Sequence, residues 1–251
     1  MCTLILAWQV FADSPVVVAA NRDEALGRPS RPPTRVEDDP AVVAPLDEEA
    51  GGTWIGYSER GLFVGITNRW VDADLAGERS RGLLVRDALR QPGAEDAARM
   101  VERAVRETEY DGFNLVIADE VAAFVLSWDG RLSVRQFDPG VHVVVNVGTD
   151  DAFTVPAARP EAGRQQAENA RRVRETLQPE PAEAAGVWLE RAADVLGDHD
   201  YGVCVHEDGY GTRSSSLVSI GRRGDGPVPA SYRFADGPPC ETNYRSIESQ
   251  V

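Results

Sequence analysis

The chain of 251 residues contains no lysine: all 26 basic residues are arginine, set against 41 Asp and Glu, for a net charge of -15. No basic run is present, so the electrostatic footprint of a nucleic-acid binder is missing. An acidic, lysine-free chain suits a cytoplasm rich in salt, where screening relieves the repulsion between like charges. No apolar run approaches the ~20 residues needed to span a bilayer. The N-terminus has no basic n-region, and Asp13 interrupts its apolar stretch. The expected location is the cytoplasm of a high-salt cell, with no membrane span.

The three cysteines, Cys2, Cys204 and Cys240, form no C-x-x-C pair. Thioredoxin-type and zinc-ribbon sites are therefore not expected, and an odd count argues against a disulfide scaffold. The phosphate-binding loop, the dinucleotide fingerprint, the G-x-S-x-G elbow and H-E-x-x-H are also missing. Of the three histidines, His142 stands alone. His199 and His206 fall with Asp200, Glu207 and Asp208 in "GDHDYGVCVHED", where a metal site is conceivable, but the spacing matches no standard ligand pattern and the favoured reading is a solvated acidic loop flanking a strand. Cys204 reads as a small hydrophobe within a strand. No metal site and no catalytic cofactor are expected.

What is present is a core: hydrophobic residues make up 42% of the chain. Apolar, β-branched runs at 3–10, 15–20, 52–57 and 61–67 read as strands, and the Pro-rich "GRPSRPPTRVEDDP" at 27–40 reads as a loop between them. Helical spacing recurs over 79–91 and 93–109. The stretches 113–119, 121–128, 131–137 and 141–148 read as a four-stranded meander. Two helices over about 160–177 and 181–196 precede strands at about 201–206, 212–220 and 230–235. Strands in hairpin-linked groups and helices in pairs do not fit a parallel doubly wound sheet. They predict an α+β layered sandwich, two antiparallel sheets face to face with helices outside, as one domain over 1–251.

The chain opens "MCTLIL". Initiator methionine is normally trimmed before so small a side chain, and a mature N-terminal cysteine carries a thiol and its own base. If "FADS" at 11–14 turns the first strand back into the second, it returns Asn21, Arg22, Asp23 and Glu24 to the neighbourhood of Cys2. By themselves those four polar residues read as a turn. Polar residues also stand where other strands end: Asn68 and Arg69 after "GLFVGIT", Asn146 within "VHVVVNVG", and Arg213 after "GYGT". A buried Asn needs partners, and a developing oxyanion is one candidate.

Ordered matches along the chain identify it as resembling the NRDE family, also called the Transport and Golgi organisation 2 family. They are "MC" at the start, "AANRDE" at 19–24, "RPS" at 28–30, "GGTWIG" at 51–56, "TN" at 67–68, "RG-LV" within 81–85, "GFNL" at 112–115, "YGVC" at 201–204 and "GYGTR" at 209–213. That family is similar to N-terminal nucleophile hydrolases that start with cysteine, such as bile-salt hydrolases and penicillin V acylases. The resemblance implies a four-layer αββα sandwich. It also implies a catalytic set of Cys2, Arg22, Asp23, Asn68, Asn146 and Arg213, with Asn21 and Glu24 as binding residues beside it. In those hydrolases the arginine lies three residues before the aspartate; here Ala20 occupies that spot and Arg22 adjoins Asp23.

The implied activity is hydrolysis of a non-peptide amide. Cys2 would be the nucleophile and its amine the base, with Asp23 orienting the amine and the Asn146 amide and a backbone N–H near Asn68 receiving the oxyanion. The resemblance also implies an alternative, a non-enzymatic carrier of haem or of acyl-coenzyme A or lipid. There Cys2 would be a soft iron ligand or Arg22 an anion contact. Either way the expected partner is a small molecule bearing an amide, acyl or haem group. Hydrolysis itself needs no cofactor, and haem enters only as a ligand.

Overall fold

Strands buried on both faces read as continuous apolar runs, whereas strands with one wet face alternate. The first kind forms the centre of this molecule. The computed structural model describes residues 2–224 and 228–248. It begins with β1 (Cys2–Trp8) and β2 (Val16–Ala25). Leu4, Leu6 and Trp8 point into a core between two sheets, and Ile5 and Ala7 point the other way, under helices.

A second sheet follows with β3 (Ser30–Asp38), β4 (Ala41–Asp47), β5 (Ile55–Ser58) and β6 (Phe63–Asn68). Helices α1 (Arg81–Leu89) and α2 (Ala94–Glu107) then lead to β7 (Phe113–Ala118), β8 (Ala123–Trp128) and β9 (Leu132–Gln136). The chain next crosses back through β10 (Gly140–Val145), β11 (Gly148–Thr149) and β12 (Ala152–Phe153) to α3 (Pro160–Thr176) and α4 (Ala185–Gly197). It ends with β13 (His206–Glu207), β14 (Tyr210–Ile220), β15 (Ala230–Ala235) and β16 (Arg245–Ile247).

One sheet runs β12-β11-β10-β1-β2-β14-β15-β16, with β13 on β14; the other runs β3 to β9 in order. All the pairings are antiparallel. Apolar side chains of α3 and α4 cover the first sheet, those of α1 and α2 the second, and a third cluster fills the space between the sheets. This is the expected αββα sandwich. No helix among the described residues is long and apolar enough to cross a membrane.

Four local expectations are corrected. The Pro-rich segment is strand β3, not a loop. It lies at a sheet edge, and its register slips between Arg31 and Thr34, so Pro32 and Pro33 sit in an irregularity that needs no ladder N–H. Asn21–Glu24 continue β2 rather than forming a turn, because β14 pairs with all four and β1 pairs with Asn21 and Arg22 on the other side. The meander has three strands in one sheet; the fourth, β10, leaves to pair with β1. Residues 201–206 are not a strand but the end of a 3-10 turn (His199–Tyr201) and a bend entering β13.

Asn114 ties the two sheets at the end of the sandwich where β1 begins. It is fully buried on β7. Its Nδ2 donates to Val145 O of β10 at 2.9 Å, and its Oδ1 accepts from Arg69 at 3.0 Å and Ser127 Oγ at 2.8 Å. Trp70 N donates to Asn146 O at 3.0 Å beside it. Asn114→Ala should lower the urea unfolding free energy by about 1–3 kcal/mol, the penalty for stranding buried partners. A wild-type midpoint and slope would mean that the bridge contributes nothing.

Candidate active site

The hairpin register sets Cys2 opposite Arg22, and β14 sets Thr212 opposite Asp23. At this end of the sandwich a cavity of about 130 Å³ opens between the sheets, with Cys2, Arg22, Asp23, Glu24, Trp54, Asn68 and Arg81 in its lining. The Cys2 thiol lies 3.7 Å from Asp23 O. Burial pushes the Cys2 thiol above its usual range. Its neighbours alone therefore do not activate it, and it needs a base.

Asn146 stands behind Cys2. Its Oδ1 accepts from Cys2 N at 3.0 Å and from Gln166 Nε2 of α3 at 2.8 Å, while its Nδ2 donates to Asn68 O at 2.6 Å. The amide expected to receive an oxyanion is thus engaged in holding the Cys2 nitrogen and the end of β6. Asn68 itself lines the cavity. Met1, whose removal would turn the Cys2 nitrogen into an amine, lies outside the described residues.

Asp23 is almost wholly buried and accepts from Thr212 Oγ1 at 2.6 Å. Burial pushes its carboxyl up to about 6. Arg22 is buried too, and burial lowers its pKa. Its guanidinium stacks 4.2 Å from the centre of the Trp54 ring and pairs with Asp47 at 3.4 Å and Glu24 at 3.7 Å. Burial also acts to raise Asp47, but Arg28 at 2.7 Å and the Ala50 N–H outweigh it and hold that carboxyl below the usual range. Arg22 is therefore a cation already neutralised. Arg81 differs. Burial lowers its pKa, and it donates to Gly112 O at 2.7 Å. Among the described residues no carboxylate pairs with it.

Two other expected residues are engaged elsewhere. Asn21 borders the cavity, but its Nδ2 pins Leu196 O at 3.0 Å and Val203 O at 2.8 Å on the helix-facing side. Arg213 sits at a β-bulge, where the register shifts between Thr212 and Ser214. It is not part of the cavity lining, and its Nε is buried without a hydrogen-bond partner. The bulge presents Thr212, not Arg213, to Asp23.

Sequence reasoning missed Thr212, Trp54, Asp47, Arg81 and Gln166. Two of these had a signal in the glycines of "GGTWIG" and "RG". A Cβ on Gly52 would come within 2.3 Å of the Gly82 carbonyl carbon, and Thr53 N donates to Gly82 O at 3.1 Å. That close approach seats the Trp54 loop on the start of α1 beside Arg81. His199 and His206 do come together, though with Cys204 and Cys240 rather than with the neighbouring acids. Cys204 lies in the bend before β13 and not within a strand.

The raised Asp23 value carries a stability consequence. Because the folded value lies above the ordinary 3.8, the folded chain holds this proton more tightly than the unfolded chain. Stability from this group is therefore greatest below about pH 4 and falls as pH rises to about 6. The full penalty above that is about 3 kcal/mol. Asp23→Asn should raise the unfolding free energy near pH 7.5 by up to that amount, and the gain should vanish near pH 4. An equal gain at both pH values would contradict burial as its source.

The family model described as Transport and Golgi organisation 2 matches residues 1–228. A bovine Transport and Golgi organization protein 2 homolog is 29% identical over 230 residues, 82% of each chain. The fold is similar to that of penicillin V acylase from Agrobacterium tumefaciens, with a TM-score of 0.56 and 12% identity over 98% of each chain. It is likewise similar to a mutant of conjugated bile acid hydrolase from Clostridium perfringens, with a TM-score of 0.58 and 11% identity over 100% of this chain and 94% of that one. By its family match this chain belongs to the Transport and Golgi organisation 2 family, with the fold seen in penicillin V acylase and conjugated bile acid hydrolase.

Proposed function

We propose that the chain is an N-terminal-cysteine hydrolase of non-peptide acyl amides that carry an anionic group. The observation that carries this reading is the convergence of Cys2, Asp23 and Asn68 on one cavity, with Asn146 holding the Cys2 nitrogen from behind. The structural neighbours penicillin V acylase and conjugated bile acid hydrolase support it by name and by fold.

Once Met1 is removed, the Cys2 nitrogen becomes an α-amine of pKa near 8, partly neutral at physiological pH. Asn146 Oδ1 already accepts from that nitrogen at 3.0 Å. The amine takes the thiol proton, which the thiol would not otherwise release because burial raises its pKa. The thiolate attacks the amide carbonyl, and a C–S bond forms as the π electrons move onto oxygen. Asn68, in the cavity lining, is the candidate donor for that oxyanion, since Nδ2 of Asn146 is committed to Asn68 O. One such donor is typically worth ~3 kcal/mol. The intermediate collapses with C–N cleavage, the α-ammonium protonates the leaving amine, and water then hydrolyses the thioester.

The acyl part fits against Leu4, Trp54, Ile55 and Ile66, the apolar members of the lining. Beyond Asn68 and Arg81 the cavity leads into a wider groove of about 660 Å³ that includes Trp70, Val71, Pro156 and Arg159. Arg81 borders both spaces. Among the described residues the Arg81 guanidinium donates to a carbonyl and forms no ion pair, although the Asp111 charge acts on it, so it is suited to a carboxylate or similar anion on the substrate.

The test is a panel of acyl amides with and without a carboxylate, together with acyl-coenzyme A and haem, assayed in high salt. Cys2→Ser keeps the amine and most of the shape, so it should lose at least about a thousandfold in turnover while still binding substrate. Arg81→Gln should raise KM by roughly 10–100-fold for the carboxylate-bearing amides and hardly change it for neutral ones. Loss of haem or acyl-coenzyme A binding in Cys2→Ser or Arg22→Ala, with no amide cleaved by wild type, would replace this reading by carriage. If the wild type cleaves no amide in the panel and Cys2→Ser binds every ligand as the wild type does, Cys2 is a packing residue.

A further inference from the structure

His199, Cys204, His206 and Cys240 take no part in the lining of the Cys2 cavity. His199 lies in the 3-10 turn after α4, and Gly202, with φ 65°, reverses the chain so that Cys204 and His206 return towards it. The left-handed backbone favours glycine there, and a Cβ would also lie 2.3 Å from Asn169 Nδ2, which would have to move. Cys240 comes from a different part of the chain, the turn between β15 and β16, where Glu241 N and Thr242 N both donate to Pro238 O.

The four ligand atoms, one from each residue, lie within 4.8 Å of one another. Cys204 Sγ is 3.5 Å from Cys240 Sγ and 3.6 Å from His206 Nε2, and His206 Nε2 is 3.1 Å from Cys240 Sγ. The His199 and His206 rings are 5.1 Å apart between centres. A tetrahedral zinc ion bound by two thiolates and two imidazoles sets its ligand atoms about 3.3–3.8 Å apart, from Zn–S of about 2.3 Å and Zn–N of about 2.0 Å. The two sulfurs, at 3.5 Å, are well beyond the S–S bond length of about 2.05 Å.

We propose that His199, Cys204, His206 and Cys240 form a tetrahedral Cys2His2 site for a zinc ion, which clips the C-terminal segment onto the connection between α4 and β14. The donor set of two thiolates and two imidazoles suits zinc over magnesium or calcium, which prefer oxygen. Binding releases two thiol protons, and the two thiolates balance the charge of the ion. The clip acts where other attachment is slight: β16 has three residues, and Tyr244 reaches Ser215 through one hydrogen bond of 2.7 Å. It also borders the hairpin that ends at the catalytic cavity. Val205, next to Cys204, exchanges two hydrogen bonds of 2.9 Å with Thr212, which holds Asp23 at 2.6 Å. The ion is therefore a structural element, set two bonded contacts behind Asp23.

The test uses the full chain with Cys2→Ser, so that the remaining thiols are those of the site. The protein is reduced, stripped with chelator and titrated with cobalt(II) and then zinc. One equivalent of cobalt should bind with intense tetrahedral d–d bands and thiolate-to-cobalt charge transfer, and one equivalent of zinc should displace it. Zinc should also raise the thermal midpoint. Cys240→Ser lies on an exposed turn and leaves the core intact; it should weaken the charge-transfer band and abolish the thermal shift. His206→Ala should do the same while leaving both thiols. Reduced protein that binds no cobalt would overturn the proposal. So would a cobalt spectrum unchanged by Cys240→Ser, or thiols that pair as a disulfide and bind no metal after reduction.

Discussion

A single side-chain amide holds the functional end of this molecule together. Asn146 accepts from the Cys2 nitrogen and from Gln166, and donates to the carbonyl of Asn68. It thereby fixes the start of β1, the end of β6 and the inner face of α3 relative to one another. Those elements belong to both sheets and to an outer helix layer, so the spot where they meet is determined by the whole sandwich. Asn114, one strand away, repeats the device by joining β7 to β10. Each amide has both its oxygen and its nitrogen engaged. In a dry interior such fully satisfied polar links select one arrangement of apolar layers over its near-equivalents.

The same end of the sandwich gathers buried charge that apolar packing alone would exclude. Arg22, Asp23 and Asp47 are all buried, and each is answered in a different way. Arg22 has an indole face and two carboxylates; Asp47 has two arginines and backbone N–H groups; Asp23 has Thr212 and a value displaced towards neutrality by its surroundings. Carboxylates buried at such a cost cluster at functional sites. Next to it lies a thiol whose own environment does not favour ionisation. The pair makes chemical sense when an amine supplies the base and Asp23 faces the ammonium that results.

The sandwich was legible because its central strands are buried on both faces, which writes them as unbroken runs such as "LILAW" and "VVVAA". The antiparallel hairpin followed from its loop, and with it the return of Asn21–Glu24 to Cys2. Residues whose role is purely tertiary left no trace. Nothing in the neighbourhood of Gln166 or Asp47 announces an Asn146 or an Arg22 far away in sequence. The apolar, β-branched run marks β10 as a strand without saying which sheet it joins. The prolines of β3 read as a loop because an edge position and a bulge, which make them tolerable, are visible only in three dimensions. That Asn146 ends a strand near Cys2 is legible, but the groups its amide meets, Gln166 and the Asn68 carbonyl, come from elements elsewhere in the chain. Cys204 illustrates the same limit: its partners include Cys240, on the far side of β14 and β15 in sequence.

The account rests on Cys2 presenting a free amine as well as a thiol. Intact mass measurement of the protein isolated from its own host tests that claim most directly. The expected result is the mass of a chain lacking Met1, with an unblocked N-terminal cysteine. A chain that keeps Met1, or one acetylated at Cys2, would have no base in place for the buried thiol and would contradict the nucleophile mechanism while leaving the fold as described.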